Sequence, residues 1–442
     1  MHKQVLKLAL PSILANITIP LVGLVDTAIV GHVADAVDIG GIAIGTMLFD
    51  LLYWNFGFLR VGTSGMTAQA FGRNDKDECS KLLIQALTIA LAATVLIWAI
   101  QWIFVTAVLA CVPCSPEVAD FAKRYFFVRI WAAPATLSLM AFKGWFIGMQ
   151  DTISPMVIDI VVNVVNMVVS YVLAIYTPLG AVGVAHGTVI AQTTGLLVAV
   201  GILVGKYRKT IACSQIPDVV KDIAGMKRLL VLNGNLFVRS FCFMVVYVGF
   251  TALAAVYGDV ELAISSILMK LFMLFSYFVD GFAYAGEALV GRYIGERQSS
   301  KVKTAVKVLF VWSLGVGALF TLIYWLSGNQ FIRLMTDNTD VLSSCGKYMG
   351  WLIGMPLIST LAFMWDGVYV GATAGNEIRN AMIWAAIAFV VCYLLLHNRW
   401  GMQALYLAYF AHLGARVVYL QIKWRNLYDR TFGTPSLEGA EK

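Results

Sequence analysis

The chain has 442 residues, of which 60% are hydrophobic and 13% charged, with a mean hydropathy of +0.79. A soluble domain carries about 25% charged residues, so this composition excludes a water-soluble globular protein and points to one solvated by lipid. The formal net charge of +7 is spread over connections between apolar runs, which excludes a nucleic-acid partner as its explanation.

Apolar runs of the length a bilayer requires fall at 8–31, 41–70, 82–112, 125–148, 155–176, 180–205, 231–256, 262–291, 307–327, 349–371, 381–396 and 401–422. The expected fold is an all-α integral membrane protein with twelve transmembrane helices. The first run is not a cleaved signal, because it is too long and Asn16, Pro20 and Asp26 interrupt it. With both termini on one side, that side holds 21 of the 32 Lys and Arg, chiefly in 206–228 and 291–307. The positive-inside rule then puts both termini in the cytoplasm of a plasma (inner) membrane protein. Cys111 and Cys114 form a "CVPC" motif near an outer membrane end, where a disulfide is conceivable.

The polar residues inside these runs carry the chemistry. Asp26, in "GLVDTAIVGHV", lies between Gly23 and Gly31 on a run bent by Pro11 and Pro20. A charged Asp at a membrane helix centre costs about 2.5–3.5 kcal/mol on insertion scales, so Asp26 is expected to be neutral, paired or facing water. The second run adds Asp50 and Arg60, and the fourth adds Lys143. In the fifth, Asp159, Asn163, Asn166 and Ser170 recur at i, i+4, i+7 and i+11, within about 60° of arc at 100° per residue. Thr188 and Gln192 follow at i and i+4 in the sixth. Such oxygens suit a proton on a buried carboxyl or a hard cation such as Na⁺, although interhelical hydrogen bonding alone would need the same residues. Arg239, Lys270, Asp280, Glu287, Asp366 and Arg416 make a second polar set, in which structural ion pairing is as good a reading as substrate or ion handling. Methionines and aromatics near the expected interface, among them Trp54, Phe272, Met273 and Tyr284, suit either a core or a cavity for varied ligands.

The halves of the chain resemble each other. "SGMTAQAFGRND" (64–75) pairs with "EALVGRYIGERQ" (287–298), and "AFKGWFIGMQDT" (141–152) with "MWDGVYVGATAG" (364–375), both shifted by 223. "GAVGVAHGTVIA" (180–191) pairs with "GMQALYLAYFAH" (401–412). With six runs each, the repeats must be parallel, giving two six-helix lobes related by a pseudo-twofold axis along the membrane normal. The expected organisation is a first lobe at 1–205, a basic loop at 206–228, a second lobe at 229–425 and a tail at 426–442. There is no P-loop, HExxH or GxSxG, so neither ATP hydrolysis nor enzymatic catalysis is expected.

Four stretches then carry a family resemblance: "GLVDTAIVGH" (23–32), "FLRVGTSGMTAQAFG" (58–72), "DGFAYAGEALVGRYIG" (280–295) and "DGVYVGATAGNEIRNAM" (366–382). The sequence resembles the multidrug and toxic compound extrusion (MATE) transporters, in their DNA-damage-inducible, DinF-like branch, over nearly its whole length. The resemblance implies a monomeric antiporter that exports small organic, often cationic, compounds in exchange for H⁺ or Na⁺, without a cofactor. It implies that Asp26 couples the ion, with Asn166 and Thr188 hydrogen-bonded to it. Many relatives carry an acid one turn beyond the Asn of the fifth helix, where this chain has Ser170, which favours a single-proton mechanism. A lipid or lipid-linked-precursor flippase is the competing reading. It would require a cationic central cavity, for which Arg60, Lys143, Arg239 and Lys270 are available.

Overall fold

The computed structural model describes residues 1–33, 35–210, 219 and 222–433, without the side chains of residues 24, 26–33, 36 and 223. The regular elements among them are helices. The first lobe comprises α1 (His2–Val33), α2 (Ala36–Trp54), α3 (Phe58–Gly72), α4 (Lys76–Cys111), α5 (Pro116–Arg129), α6 (Ala133–Gly148), α7 (Ile153–Tyr176) and α8 (Gly183–Tyr207). The second comprises α9 (Ile223–Ala255), α10 (Asp259–Gly295), α11 (Ser299–Met335), α12 (Thr339–Cys345), α13 (Met349–Gly371), α14 (Gly375–Trp400) and α15 (Met402–Phe432).

Among the described residues, eleven helical stretches are long and apolar enough to cross a bilayer. The twelfth, α15, has the length at 31 residues, but Gln403, His412 and Arg416 dilute its hydropathy. The last two are turned inward and almost fully buried, so α15 is a span whose polarity faces protein. Several helices outrun their apolar segments, α11 by eight residues and α4 and α14 by six at their starts. Hydropathy marks the hydrocarbon layer, whereas a helix continues until something caps it. Asp75 caps α4 by accepting from the Glu78 N–H at 2.9 Å. Ser115 caps α5 by accepting from the Val118 N–H at 3.3 Å, and Pro116 follows where its missing N–H is harmless. Single 3₁₀ turns at Asn55–Gly57 and Ile130–Ala132 break the second and fourth runs.

The duplication is written in the backbone. Four non-glycine residues among those described have positive φ: Asn74 (57°), Gln150 (62°), Arg297 (55°) and Thr373 (54°). They form two pairs, each separated by 223. Non-glycine residues rarely enter this region, so the coincidence of offset reflects repeated turns. Packing repeats as well. A Cβ on Gly144 would lie 2.2 Å from the Arg60 carbonyl, and one on Gly367 would lie 2.5 Å from that of Ala283, again 223 apart.

The lobes touch at the end that carries the N-terminus. A Cβ on Gly72 would meet the Arg292 carbonyl at 2.0 Å, and one on Gly295 would meet that of Gln69 at 2.1 Å, a reciprocal contact across the pseudo-twofold axis. Gln69 Nε2 donates to the Gly371 carbonyl at 2.9 Å, and Gln150 Nε2 to that of Ala288 at 2.8 Å. Close backbone packing and these bonds seal that end. Helix α1 straddles the lobes. Its Val5, Leu8, Ala9 and Ile13 join the core of the second lobe, whereas Val25 packs against a first-lobe cluster that contains Phe121, Tyr125, Ala174 and Val184.

Candidate functional site

Two cavities flank the centre of the molecule. The first, of about 270 Å³, lies between the lobes and is lined by Trp54 and Arg60 from one lobe and by Arg239, Asp280, Glu287 and Asp366 from the other. The second, of about 290 Å³, lies mainly in the first lobe, with Asn16, Lys143, Asp159, Asn163 and Gln192 on its walls. Arg60 and Tyr284 line both, so this pair forms the partition. The Arg60 guanidinium carbon sits 4.1 Å from the centre of the Tyr284 ring.

Arg60 also crosses the lobe boundary. Its Nη1 and Nη2 donate to the two Glu287 oxygens at 3.1 and 3.4 Å, and Ser64 Oγ donates to Glu287 Oε2 at 2.8 Å. Ser64 and Glu287 are themselves 223 apart, so the pseudo-twofold axis runs between them. A bidentate guanidinium–carboxylate pair is directional as well as charged, and here it ties α3 to α10 beneath the inter-lobe cavity.

In the second lobe, Asp366 receives two arginines. Arg239 Nη2 donates to Oδ2 at 2.8 Å, Arg416 Nε donates to Oδ1 at 3.0 Å, and Arg416 Nη2 also binds Oδ2. Lys143, the first-lobe equivalent of Asp366, forms an ion pair with Asp159. The repeat has thus kept a charged position at the same place in both lobes and given each a different partner.

The fifth-run stripe divides by height. Asp159 is taken by Lys143, and Asn163 donates to Thr18 Oγ1 of α1. Higher up, Asn166 Nδ2 donates to Thr188 Oγ1 at 3.1 Å, and Thr188 Oγ1 donates to the Val184 carbonyl at 3.1 Å. Asn166 Oδ1 and Ser170 Oγ are buried without a hydrogen-bond partner among the described residues. Unpaired buried polar atoms are exceptional, and two neighbours on one helix face mark a place with polar business. The side chain of Asp26 lies outside the described residues.

One expectation needs correction. Lys270 does not neutralise the second-lobe acids: it is exposed and pairs with none of the described carboxylates, so that Arg60 answers Glu287 while Arg239 and Arg416 answer Asp366. Asp50, given by the sequence only as a charge within a run, is exposed and makes no ion pair among the described residues. Cys111 and Cys114 are free thiols. Sequence reasoning missed Ser64 and Asn16, whose Nδ2 donates to the Tyr277 carbonyl across the lobes at 3.1 Å. It also missed Asp151, although a carboxylate just ahead of a helical run is a capping signal. Outside the spans, Asp151 accepts from Lys206, Ser154 and Tyr207. Burial works to raise its carboxyl pKa, but the bonds from Lys206, Ser154 and Tyr207 outweigh burial and hold it below the usual carboxylate range.

A duplicated bundle with an inter-lobe cavity, sealed at one end and walled by aromatic and charged side chains, has the architecture of a secondary transporter. The MatE family model matches residues 11–172 and again 236–397. The DNA damage-inducible protein F of Escherichia coli K12 is 34% identical over 96% of this chain and 92% of its own. The multidrug and toxin extrusion protein 1 of Danio rerio is 24% identical over 86% of this chain and 63% of its own. In structure, the outward-facing conformation of a multidrug resistance MATE family transporter of the MOP superfamily superposes with a TM-score of 0.86 at 16% identity, covering 98% of this chain and 97% of that one. The chain belongs to the MATE family.

Proposed function

We propose that this protein is a secondary antiporter of the plasma (inner) membrane that exports amphipathic organic compounds, cations among them, in exchange for protons. The observation that carries this reading is the aromatic-walled cavity between two lobes that are sealed together at one end by a glycine seam, the Gln69 and Gln150 hydrogen bonds and the Arg60–Glu287 pair. With the termini cytoplasmic, as the positive-inside rule asks, the seal faces inward and the cavity belongs to an outward-facing state. The multidrug names of several relatives support the substrate class.

Asp26 is the coupling residue in this proposal. Val25 packs against a first-lobe cluster that includes Val184 and Ala174, which lie one turn from Thr188 and Ser170 respectively. That packing supports a place for position 26 on the side of α1 that faces α7 and α8, toward Ser170 and Thr188. A protonated Asp26 is cheap to bury and a charged one is not, so proton uptake changes how α1 packs and how much room the substrate has. One proton is energetically sufficient, since 100 mV contributes about 2.3 kcal/mol per charge, close to a 50-fold gradient. The surplus of cations that a flippase pocket needs is not assembled: Glu287 answers Arg60, Asp159 answers Lys143, Lys270 lies at the surface, and the one positive charge left where Arg239 and Arg416 share Asp366 is balanced by Asp280 in the same cavity.

The test is transport of a fluorescent organic cation into proteoliposomes under separate pH and Na⁺ gradients, for wild type and Asp26→Asn. The expected result is transport driven by the pH gradient alone and lost in the folded variant. Transport by Na⁺ alone would replace the proton by Na⁺, and an Asp26→Asn variant that couples as wild type would remove Asp26 from the mechanism.

A further inference from the structure

The inter-lobe cavity is lined by three arginines, Arg60, Arg239 and Arg416, and three carboxylates, Asp280, Glu287 and Asp366. Their charges sum to zero, yet they do not cancel in place. Arg60 and Glu287 satisfy one another through two hydrogen bonds. Asp366 is shared by Arg239 and Arg416, so that wall carries one positive charge in excess. On α10, Asp280 makes no hydrogen bond and no ion pair with any described residue.

The excess positive charge has an address. Arg239 commits Nη2 to Asp366, while its Nε is buried without an acceptor among the described residues and its Nη1 donates to none of them. A guanidinium that leaves N–H groups without an acceptor is unfavourable; Nε is enclosed, whereas Nη1 is not and is the donor that an anionic group in the cavity would meet. Asp280 lies within the electrostatic fields of Arg60 and of Arg239, but it is joined as a pair with neither. Between and around them stand Trp54, Phe243, Phe272, Phe363 and Tyr284, which offer flat apolar faces and attract cations.

We propose that this cavity selects amphipathic zwitterions, seating a cationic nitrogen against Asp280, a carboxylate or sulfonate against the free edge of Arg239, and an aromatic body on the ring-lined wall. The proposal rests on the export reading above and sharpens its substrate class: a simple organic cation satisfies Asp280 and leaves Arg239 unanswered. A molecule with both charges answers both groups and spans an orientation fixed by the protein. Arg suits the anionic end because its planar fork bonds a carboxylate at two points.

The experiment compares rhodamine B, a xanthylium cation with a free carboxylate, and its ethyl ester, which keeps the ring and the cation but lacks the anion. Binding to the full-length protein in detergent is followed by fluorescence polarisation. Rhodamine B is expected to bind about tenfold more tightly than the ester, the lower end of what a hydrogen bond to a charged group contributes. Arg239→Gln should erase that preference and Asp280→Asn should weaken both dyes. An ester that binds as well as the acid, or a preference that survives Arg239→Gln, overturns the proposal. If Arg239→Gln fails to fold, the wild-type comparison decides alone, and Arg239→Lys, which keeps the charge and loses the fork, should reduce the preference. Gradient-driven transport of the same dyes separates the two claims. Preferential binding without transport would sink the export reading and leave the selectivity, whereas equal binding and transport of both dyes would sink the selectivity and leave export.

Discussion

At the scale of single residues, the charges of this protein divide into those spent on structure and those left available. Glu287 belongs to the first kind: Arg60 and Ser64 occupy both of its oxygens, and it is nearly fully buried. Removing one member of such a pair strands the other in a poor solvent, at a cost of about 3–5 kcal/mol. Glu287→Gln and Arg60→Met are each expected to lower the unfolding temperature in detergent strongly. The double variant should lose less than the sum, because the stranded charge is gone. Additive losses would show that the pair contributes nothing as a pair. Asp151 gives a pH signature of its own. Its folded-state pKa is depressed, so its stabilisation is complete above the unfolded value of about 3.9 and disappears as pH falls through the lower folded value. Asp151→Asn should therefore cost about 1–2 kcal/mol near neutrality, toward the low end for a charged hydrogen bond because Lys206 is 56% exposed. In thermal melts the difference from wild type should hold steady from pH 7 to 5 and shrink below pH 4. A difference that persists unchanged at pH 3 would detach it from the carboxylate.

At the scale of elements, close backbone approach sets the function of the seam. Gly72 and Gly295 sit where a Cβ would fall 2.0 and 2.1 Å from a carbonyl of the opposite lobe, a gap that only a displaced backbone could open. Gly72→Val is expected to push α3 from α10 at the sealed end. The variant should lose about 1–3 kcal/mol of stability, the usual cost of overpacking, and should label faster than wild type with a thiol reagent at a cysteine placed at Gln69. Unchanged labelling would mean that the seam yields without opening. Much of this was legible in the sequence and some was not, for identifiable reasons. The runs, the six-plus-six division and the 223-residue offset were readable because lipid imposes long apolar segments and because duplicated turns keep their residues. The inward charges of the second lobe were also readable as a set, since a membrane helix hides its polar side chains. Which acid met which base was not, because Lys143 with Asp159 and Asp366 with two arginines depend on helix rotation, which hydropathy does not encode. Lys270 shows the limit: its position in a run looked internal, yet rotation of α10 places it at the surface. Ser64 was passed over because a serine in a small-residue stretch has no signature of its own, and only the partner across the axis gives it a role.

At the scale of the whole molecule, the two lobes are alike in frame and unlike in charge, and that asymmetry divides the labour. The first lobe holds the Asn166–Thr188 hydrogen bond, whose helix α7 packs against the straddling helix α1, and in the proposed mechanism the ion acts there, away from substrate. The inter-lobe cavity holds the open carboxylate and the half-satisfied guanidinium on its second-lobe wall, where a substrate can bind without meeting the ion. Arg60 and Tyr284 stand between the inter-lobe cavity and the first-lobe cavity lined by Asp159 and Asn163. Exchange then requires the lobes to part at the seam while they close at the opposite end, since a cavity open to both sides would dissipate the gradient. Gln69 and Thr373 face each other across the seam, with Nε2 and Oγ1 3.2 Å apart, and they provide a handle on that motion. In a background without the seven native cysteines, Gln69→Cys with Thr373→Cys, joined by a short bifunctional thiol reagent with a reducible spacer, should stop transport while leaving dye binding from the open side intact. Reduction should restore the rate. Transport that continues at the uncross-linked rate with the seam held shut would mean that substrate does not cross between the lobes, and the alternating-access reading of this cavity would fall with it.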